Sequence, residues 1–211
     1  MKLIKKWFKS PIHIMMMLVL IAVLGMGTIA YFTDVEAVVN KITMGNISTD
    51  IRETVDGLTK KNIGVANTSG KLESYVRIRV DIPTITYSYV DENGKSETGS
   101  ALIKISPQDE AITAEAWNNL NEIKIDQNTV WKKESDGYWY LNRTVQPGEE
   151  VLFLTEITYP GLMKDRKLAL PDGITADMLA IPITSEAVQV IDGVTDAYEA
   201  FQKVAEADAD Q

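Results

Sequence analysis

ESYVRIRVDI, residues 73–82, alternates without interruption. Val76, Ile78, Val80 and Ile82 fall on one side; Tyr75, Arg77, Arg79 and Asp81 fall on the other. A period of two with one apolar side is the pattern of a strand that buries one face. Pro83 ends it. The opposite side, Tyr75, Arg77 and Arg79, is expected to be a solvated face making cross-strand pairs.

Working outward, the same short-strand grammar recurs. Residues 62–67 read as a strand stopped by Thr68-Ser69-Gly70, and residues 52–61, polar around Gly57, read as a loop. Residues 37–51 read as a first strand in two halves, with Gly45-Asn46 as a bulge or bend between them. Downstream, 84–90 and 101–105 are expected to form a hairpin around DENGKSETG, whose Asn93-Gly94 is a strong turn signal. Residues 110–120 carry Ile112, Ala116 and Leu120 at helical spacing behind Thr113, a good N-cap. Residues 129–133 and 138–143 form a second hairpin joined at Ser135-Asp136-Gly137, and Gln146-Pro147-Gly148 is a turn. Residues 150–159 are apolar on both faces at their centre, which places them in the middle of a sheet. After a polar loop over 163–173, residues 177–191 read as a last strand with Leu179, Ile181 and Ile183 on one face. Pro182 and Ser185 argue for an edge or a bulge there. A helix over 192–205 closes the chain on Val194, Ala197, Tyr198 and Phe201. Many short strands with turns and one or two short helices predict an all-β, antiparallel β-sandwich.

The 211 residues suit one domain of ordinary size, and 45% hydrophobic content is enough for a sizeable core. The formal net charge is -9, from 21 basic and 30 acidic residues. Four of those basic residues, Lys2, Lys5, Lys6 and Lys9, precede an apolar run, so the remainder is more acidic still. Phosphate recognition needs clustered Lys and Arg, so no nucleic-acid partner is expected. There is no cysteine, which removes disulfides, thiolate metal sites and thiol nucleophiles.

The N-terminus has the layout of an export signal: a basic start, an apolar stretch over 12–24, then Gly25, Gly27, Thr28 and Ala30. Cleavage after Ala30 would put Thr28 at the −3 position and Tyr31 first. The rival is an uncleaved anchor, because 12–30 reaches the roughly 20 residues a bilayer-spanning helix needs. The lysines would then stay in the cytoplasm and the body outside. On this reading residues 1–30 are a signal helix, the membrane is met only through 12–30, and 31–211 is the sandwich with an insertion over 83–130.

The only histidine, His13, lies inside the apolar run. A chain cut beyond it has no imidazole for a Ser-His-Asp triad or an HExxH zinc site. No Gly-rich loop precedes a Lys-Ser/Thr pair, so no phosphate cradle is expected. Nothing locates a serine–lysine dyad or paired catalytic carboxylates. No catalytic, cofactor-binding or metal-ligating residue is therefore assigned, and no cofactor. Asp91, Glu92 and Asn93 offer oxygen atoms in a turn, read either as a plain turn or as a weak calcium site. Trp131, Tyr138, Trp139 and Tyr140 have two readings: packing inside the core, or an exposed platform for a glycan or partner.

GMGTIAYFTDVEAVVNKITMGNISTDI, residues 25–51, resembles the export signal and first strand of the TasA/camelysin family. The matching positions are Gly27, Thr28, Ala30, Tyr31, Phe32, Thr33 and Asp34, then Ala37, Asn40, Gly45 and Asn46. KKNIGVANTSGKLESYVRIRV resembles the family's turn and following strand, though Ser69 intrudes before Gly70. DGYWYLNRTVQPGEEVLFLTEI resembles its aromatic hairpin, Pro-Gly turn and central strand; IPITSEAVQVIDGVTDAYEAF resembles its closing strand and helix. Residues 83–130 are less typical. The resemblance implies a jelly-roll-like sandwich, processing by a SipW-type signal peptidase, and export to the cell surface or a biofilm matrix. It further implies self-association into oligomers or fibres by donation of an N-terminal strand, with Val38, Ile42 and Met44 as donor residues. Two alternatives remain: a monomeric surface adhesion module and a camelysin-like secreted metalloendopeptidase. The missing His and Cys argue against the second.

Overall fold

The strand over residues 73–82 sits at the centre of one of two packed sheets. In the computed structural model, the described residues are 41–42, 49–56, 58–164 and 167–209. All lie within the unit Glu36–Gln211. In chain order the strands are β1 (Lys41–Ile42), β2 (Thr49–Asp56), β3 (Thr59–Asn67), β4 (Ser74–Val80), β5 (Thr86–Val90), β6 (Ser96–Ser100), β7 (Leu102–Lys104) and β8 (Ile112–Thr113). They continue as β9 (Glu122–Lys124), β10 (Val130–Lys133), β11 (Trp139–Leu141), β12 (Glu150–Thr158), β13 (Met163–Lys164), β14 (Lys167–Leu168) and β15 (Ile183–Gln189). The helices are α1 (Ala114–Asn118) and α2 (Ala197–Ala209), with a 3₁₀ turn at Asp177–Leu179.

The first sheet runs β1-β15-β4-β11-β10-β9 and the second β2-β3-β12-β7-β8. Within the two sheets every pairing is antiparallel except β1 with β15. β4 pairs with β15 along its whole length, from Ile183↔Val80 to Gln189↔Ser74. β12 lies between β3 and β7, as its doubly apolar centre requires. β5 and β6 form a separate two-stranded ribbon, as do β13 and β14.

The core between the sheets is aromatic. Phe153 from β12 meets three tryptophans, Trp131 and Trp139 of the other sheet at 5.1 and 5.7 Å and Trp117 of α1 at 5.8 Å between ring centroids, all near edge-to-face. That geometry sets a positive ring edge against a negative face and adds to the gain from burial. A register shift between Leu152 and Leu154 marks a bulge at Phe153, a device that re-aims a side chain. The Trp131 indole N–H donates to the Leu152 carbonyl at 3.0 Å, so the large ring is buried without an orphaned donor.

The outer face of the first sheet is covered rather than solvated. Tyr75, Tyr140 and Val188 pack against Val194, Ala197, Ala200, Phe201 and Val204 of α2 and its approach. This corrects the expectation of a solvated Tyr75–Arg77–Arg79 face: Tyr75 is buried, Arg77 half-buried and Arg79 alone exposed. An alternating strand shows two faces, but it does not show that a helix from 120 residues downstream will lie on the second.

Other departures have local causes. The loop expected over 52–61 is strand on both sides of a tight connection, with Asp56 paired to Thr59. The hairpin expected between 84–90 and 101–105 instead pairs β5 with β6, from Thr86↔Ser100 to Val90↔Ser96. The chain after Ser100 crosses into the second sheet, where β7 pairs with β12. Thr113 does cap α1, accepting from the Ala116 amide at 3.3 Å. The buried face of α1 is Ala114 and Trp117, not Ile112, Ala116 and Leu120. Residues 83–130 also supply β7 and β8 to one sheet and β9 to the other.

The crossing from the second sheet to the first is secured by Asn67, which is fully buried. Its side-chain amide donates to the Leu72 carbonyl at 2.8 Å and the Val145 carbonyl at 2.9 Å. Its Oδ1 accepts from the Ser69 amide at 3.0 Å and lies 2.6 Å from the Ser69 hydroxyl. Asn67→Ala strands these groups in the interior and should cost about 3 kcal/mol, given ~1–3 kcal/mol for each unsatisfied buried group. Asn67→Asp should cost at least as much, because an acceptor then faces two carbonyls. Urea midpoints of the three proteins test the order; an Asp variant as stable as the parent would contradict it.

Candidate functional site

The edge of the first sheet beside β15 is where the N-terminal part of the chain meets the body. β1 pairs there in parallel, with Lys41 opposite Glu186 and Ile42 opposite Ala187. β15 is seven residues long, and among the described residues only these two lie on its outer side. Ile42, one of the three expected donor residues, is therefore on this edge. Val38 and Met44 lie outside the described residues, as do the expected cleavage residues Thr28, Ala30 and Tyr31.

What holds β15 in register is a charged cluster beneath α2. Glu186 stands opposite Arg77 across the β15–β4 ladder. The Arg77 Nη2 and Nε donate to one oxygen of Glu186, at 2.6 and 3.1 Å. The other Glu186 oxygen accepts from the Tyr138 hydroxyl at 3.2 Å. Arg77 Nη1 donates to the Tyr140 hydroxyl at 2.7 Å and pairs with Asp136 at 3.2 Å. Tyr140 in turn donates to Asp136 at 2.6 Å. The guanidinium lies 4.1 Å from the Tyr138 ring centroid and 4.3 Å from that of Phe201, sandwiched between a hairpin and a helix.

Burial alone would lower the Arg77 pKa, but hydrogen bonds to Glu186 and Tyr140 and the Glu186 charge outweigh it and raise it. The cation is therefore permanent. Tyr140 is raised above its ordinary value, by burial first and by its bond to Asp136 second. Each polar group in the cluster is answered by another, so the arrangement fixes position. It sets the backbone of β15 that faces Lys41 and Ile42.

The other sequence candidates resolve differently. Trp131, Trp139 and Tyr140 are buried and Tyr138 is half-buried, so the hairpin offers no exposed aromatic platform. The side chains alternate across it: Trp131 and Trp139 go between the sheets, Tyr138 and Tyr140 go under α2. Asp91 spends one carboxylate oxygen on the amides of Lys95 at 2.8 Å and Asn93 at 2.9 Å, an ordinary turn closure. The Lys95 bond leads the effects that lower its pKa. Among the described residues, no group of three or more His, Cys, Asp or Glu is placed to hold a metal ion. The sequence places Asp136 in a turn and Phe201 on a helix stripe, but their link and that of Glu186 to Arg77 escape it, because that link depends on strand register and helix placement.

No family model matches the chain, and neither the curated proteins nor the solved structures contain a match.

The raised tyrosine gives a pH dependence. A free phenol ionises near pH 10, whereas folded Tyr140 holds its proton to higher pH. Its contribution is full below about pH 10 and is lost as pH climbs towards the folded value, since the unfolded chain deprotonates first. Tyr75, Tyr87, Tyr138 and Tyr159 are raised too, each by burial first, and act in the same direction. The urea midpoint should fall between about pH 9 and about pH 11, and less steeply in Tyr140→Phe. Tyr140→Phe should also start lower, because Arg77 and Asp136 lose a partner.

Proposed function

We propose that this chain is an exported, non-catalytic structural protein of the bacterial cell surface or biofilm matrix. In this reading it assembles with copies of itself by donating the strand around Ile42. The proposal extends to a jelly-roll-like arrangement of the two sheets, to processing after Ala30 by a SipW-type signal peptidase, and to kinship with the TasA/camelysin proteins. The observation that carries it is the β1–β15 contact. A short N-terminal strand occupies the edge of a seven-residue strand that is fully paired on its other side.

A contact of this kind can be made within a chain or between chains. Main-chain bonds to a sheet edge take their affinity from the backbone, and side chains opposite the edge give specificity. β1 is joined to β2 by residues 43–48 alone, and β2 lies against β15, so this short connection reaches the edge within one chain, and donation requires the same segment to reach a neighbouring copy instead. Exchange of an identical element between copies is a low-cost route to oligomers, and a head-to-tail exchange that does not close makes a filament. The adhesion alternative finds no exposed aromatic platform on this hairpin, because Trp131 and Trp139 are buried.

The absence of cysteine makes the test clean. Ile42→Cys combined with Ala187→Cys places two thiols at paired positions. Under assembling conditions the double variant should yield an intermolecular disulfide ladder on a non-reducing gel, with neither single variant doing so. Only intramolecular bonds, together with uniform monomers by electron microscopy, would overturn strand donation. Ile42→Pro, which removes a backbone donor from β1, should suppress assembly while leaving the urea midpoint nearly unchanged.

A further inference from the structure

A cleft of about 500 Å³ opens where several chain segments meet at one end of the first sheet. It lies between the exit of β4, the end of α1, the β10–β11 turn and the segment leading into β15. Its size falls within the roughly 300–1,000 Å³ of small-ligand sites. Its chemistry departs from the rest of the chain. The lining side chains include two cations, Arg79 and Lys133, against one anion, Asp81, in a protein of net charge -9.

Both cations are positioned. Lys133 is half-buried; its ammonium lies 5.6 Å from the Trp139 ring centroid and 3.5 Å from the Asn118 carbonyl. Arg79 uses Nε alone on Asp81, at 2.9 and 3.0 Å from the two carboxylate oxygens, so that ion pair does not engage its two Nη groups. A Cβ built on Gly137 would lie 3.9 Å from Arg79 Nη1, so that nitrogen stands beside the turn that walls the cleft. Behind these groups are Trp117 and Trp139, locked against each other at 5.1 Å and against Phe153, so the floor belongs to the rigid core. Pro83 and Pro182 form apolar sides.

We propose that this cleft binds a carboxylate-bearing sugar, such as a uronic-acid unit of an acidic polysaccharide. The Arg79 Nη groups answer the carboxylate, planar guanidinium suiting that anion in particular, and the Lys133 ammonium adds positive charge from another wall of the cleft. Asp81 and Asn118 supply an acceptor and an amide for ring hydroxyls. The proline faces suit the C–H face of a sugar ring. A peptide side chain would instead call for an exposed apolar hole, and the two tryptophans are too deeply buried to make one. The site uses residues of the folded body, away from β1, so it does not rest on the strand-donation reading.

Amide chemical shifts of Lys133 and Gly137 in the full chain test it, with glucuronate, glucose and acetate as probes. Glucuronate should saturate with a Kd of about 1 mM, with glucose and acetate roughly tenfold weaker or more. Lys133→Ala and, separately, Arg79→Gln should each weaken glucuronate roughly tenfold, with an unchanged urea midpoint confirming the fold. Added salt should weaken glucuronate binding in the parent protein. The proposal is overturned by the absence of a saturable shift with glucuronate, by acetate binding as well as glucuronate, or by undiminished binding in both folded variants.

Discussion

Burying the positive charge of Arg77 is the constraint around which one half of this protein is arranged. A cation out of water is costly unless partners surround it. Here the partners come from four places: Glu186 on β15, Asp136 and Tyr138 in or beside the β10–β11 turn, Tyr140 on β11, and Phe201 on α2. Each of those elements must be in place for the charge to be answered. Conversely, once β4 presents Arg77 on its outer side, only one register of β15 brings Glu186 opposite. A one-residue slip would send Glu186 towards the tryptophan core and a hydrophobic residue towards the guanidinium. The ion pair thus acts more as a register lock than as a source of net stability, a use for which buried charge is well suited.

The same lock explains why the fold was partly legible and where legibility stopped. β4, β12, the hairpin at Gly137 and the Thr113 cap are written in short stretches, and periodicity and turn chemistry locate them. Gly137 has φ 83° and Gly148 φ 77°, values that Gly in these turns meets without strain. What no local pattern holds is which strand lies beside which. Arg77 and Glu186 are 109 positions apart, and the helix that supplies Phe201 lies further still. The tyrosines showed the limit most sharply. YWY at 138–140 announced a strand, but whether each ring faced core, helix or water depended on a helix packing on the second face. β9 leaves no sequence signal, because its three residues, Glu122–Lys124, carry too little alternation to stand out.

Part of the candidate site was legible in the sequence. Ile42 is expected as a donor residue only through the resemblance in residues 25–51; the fold pairs it with Ala187 at the β15 edge, and its donation to another copy stays a proposal. Glu186, which fixes the edge Ile42 meets, was invisible for the register reason just given. Asn67 is the intermediate case. The Asn-Thr-Ser-Gly sequence reads as a turn, and it is one. Its buried amide, satisfied from both sides, is a tertiary feature that only the return of Val145 creates.

The edge itself has an asymmetry that bears on function. Among the described residues, β15 is held over seven residues on one side by β4 and met over two on the other by β1. Its conformation is therefore fixed whether or not β1 is present, because the Arg77 cluster and the β4 ladder both act from the far side. A strand that docks on such an edge meets a preformed template and bears little of the ordering cost that a flexible site would impose. Docking from within the chain closes only the six residues between Ile42 and Thr49, because β2 already lies against β15, so a second molecule competes only where its local concentration offsets that proximity. A neighbouring copy at high local concentration could therefore compete for the same template. The balance between the two outcomes would rest on how the chain before β2 is tethered, and not on any change in the sheet that receives it.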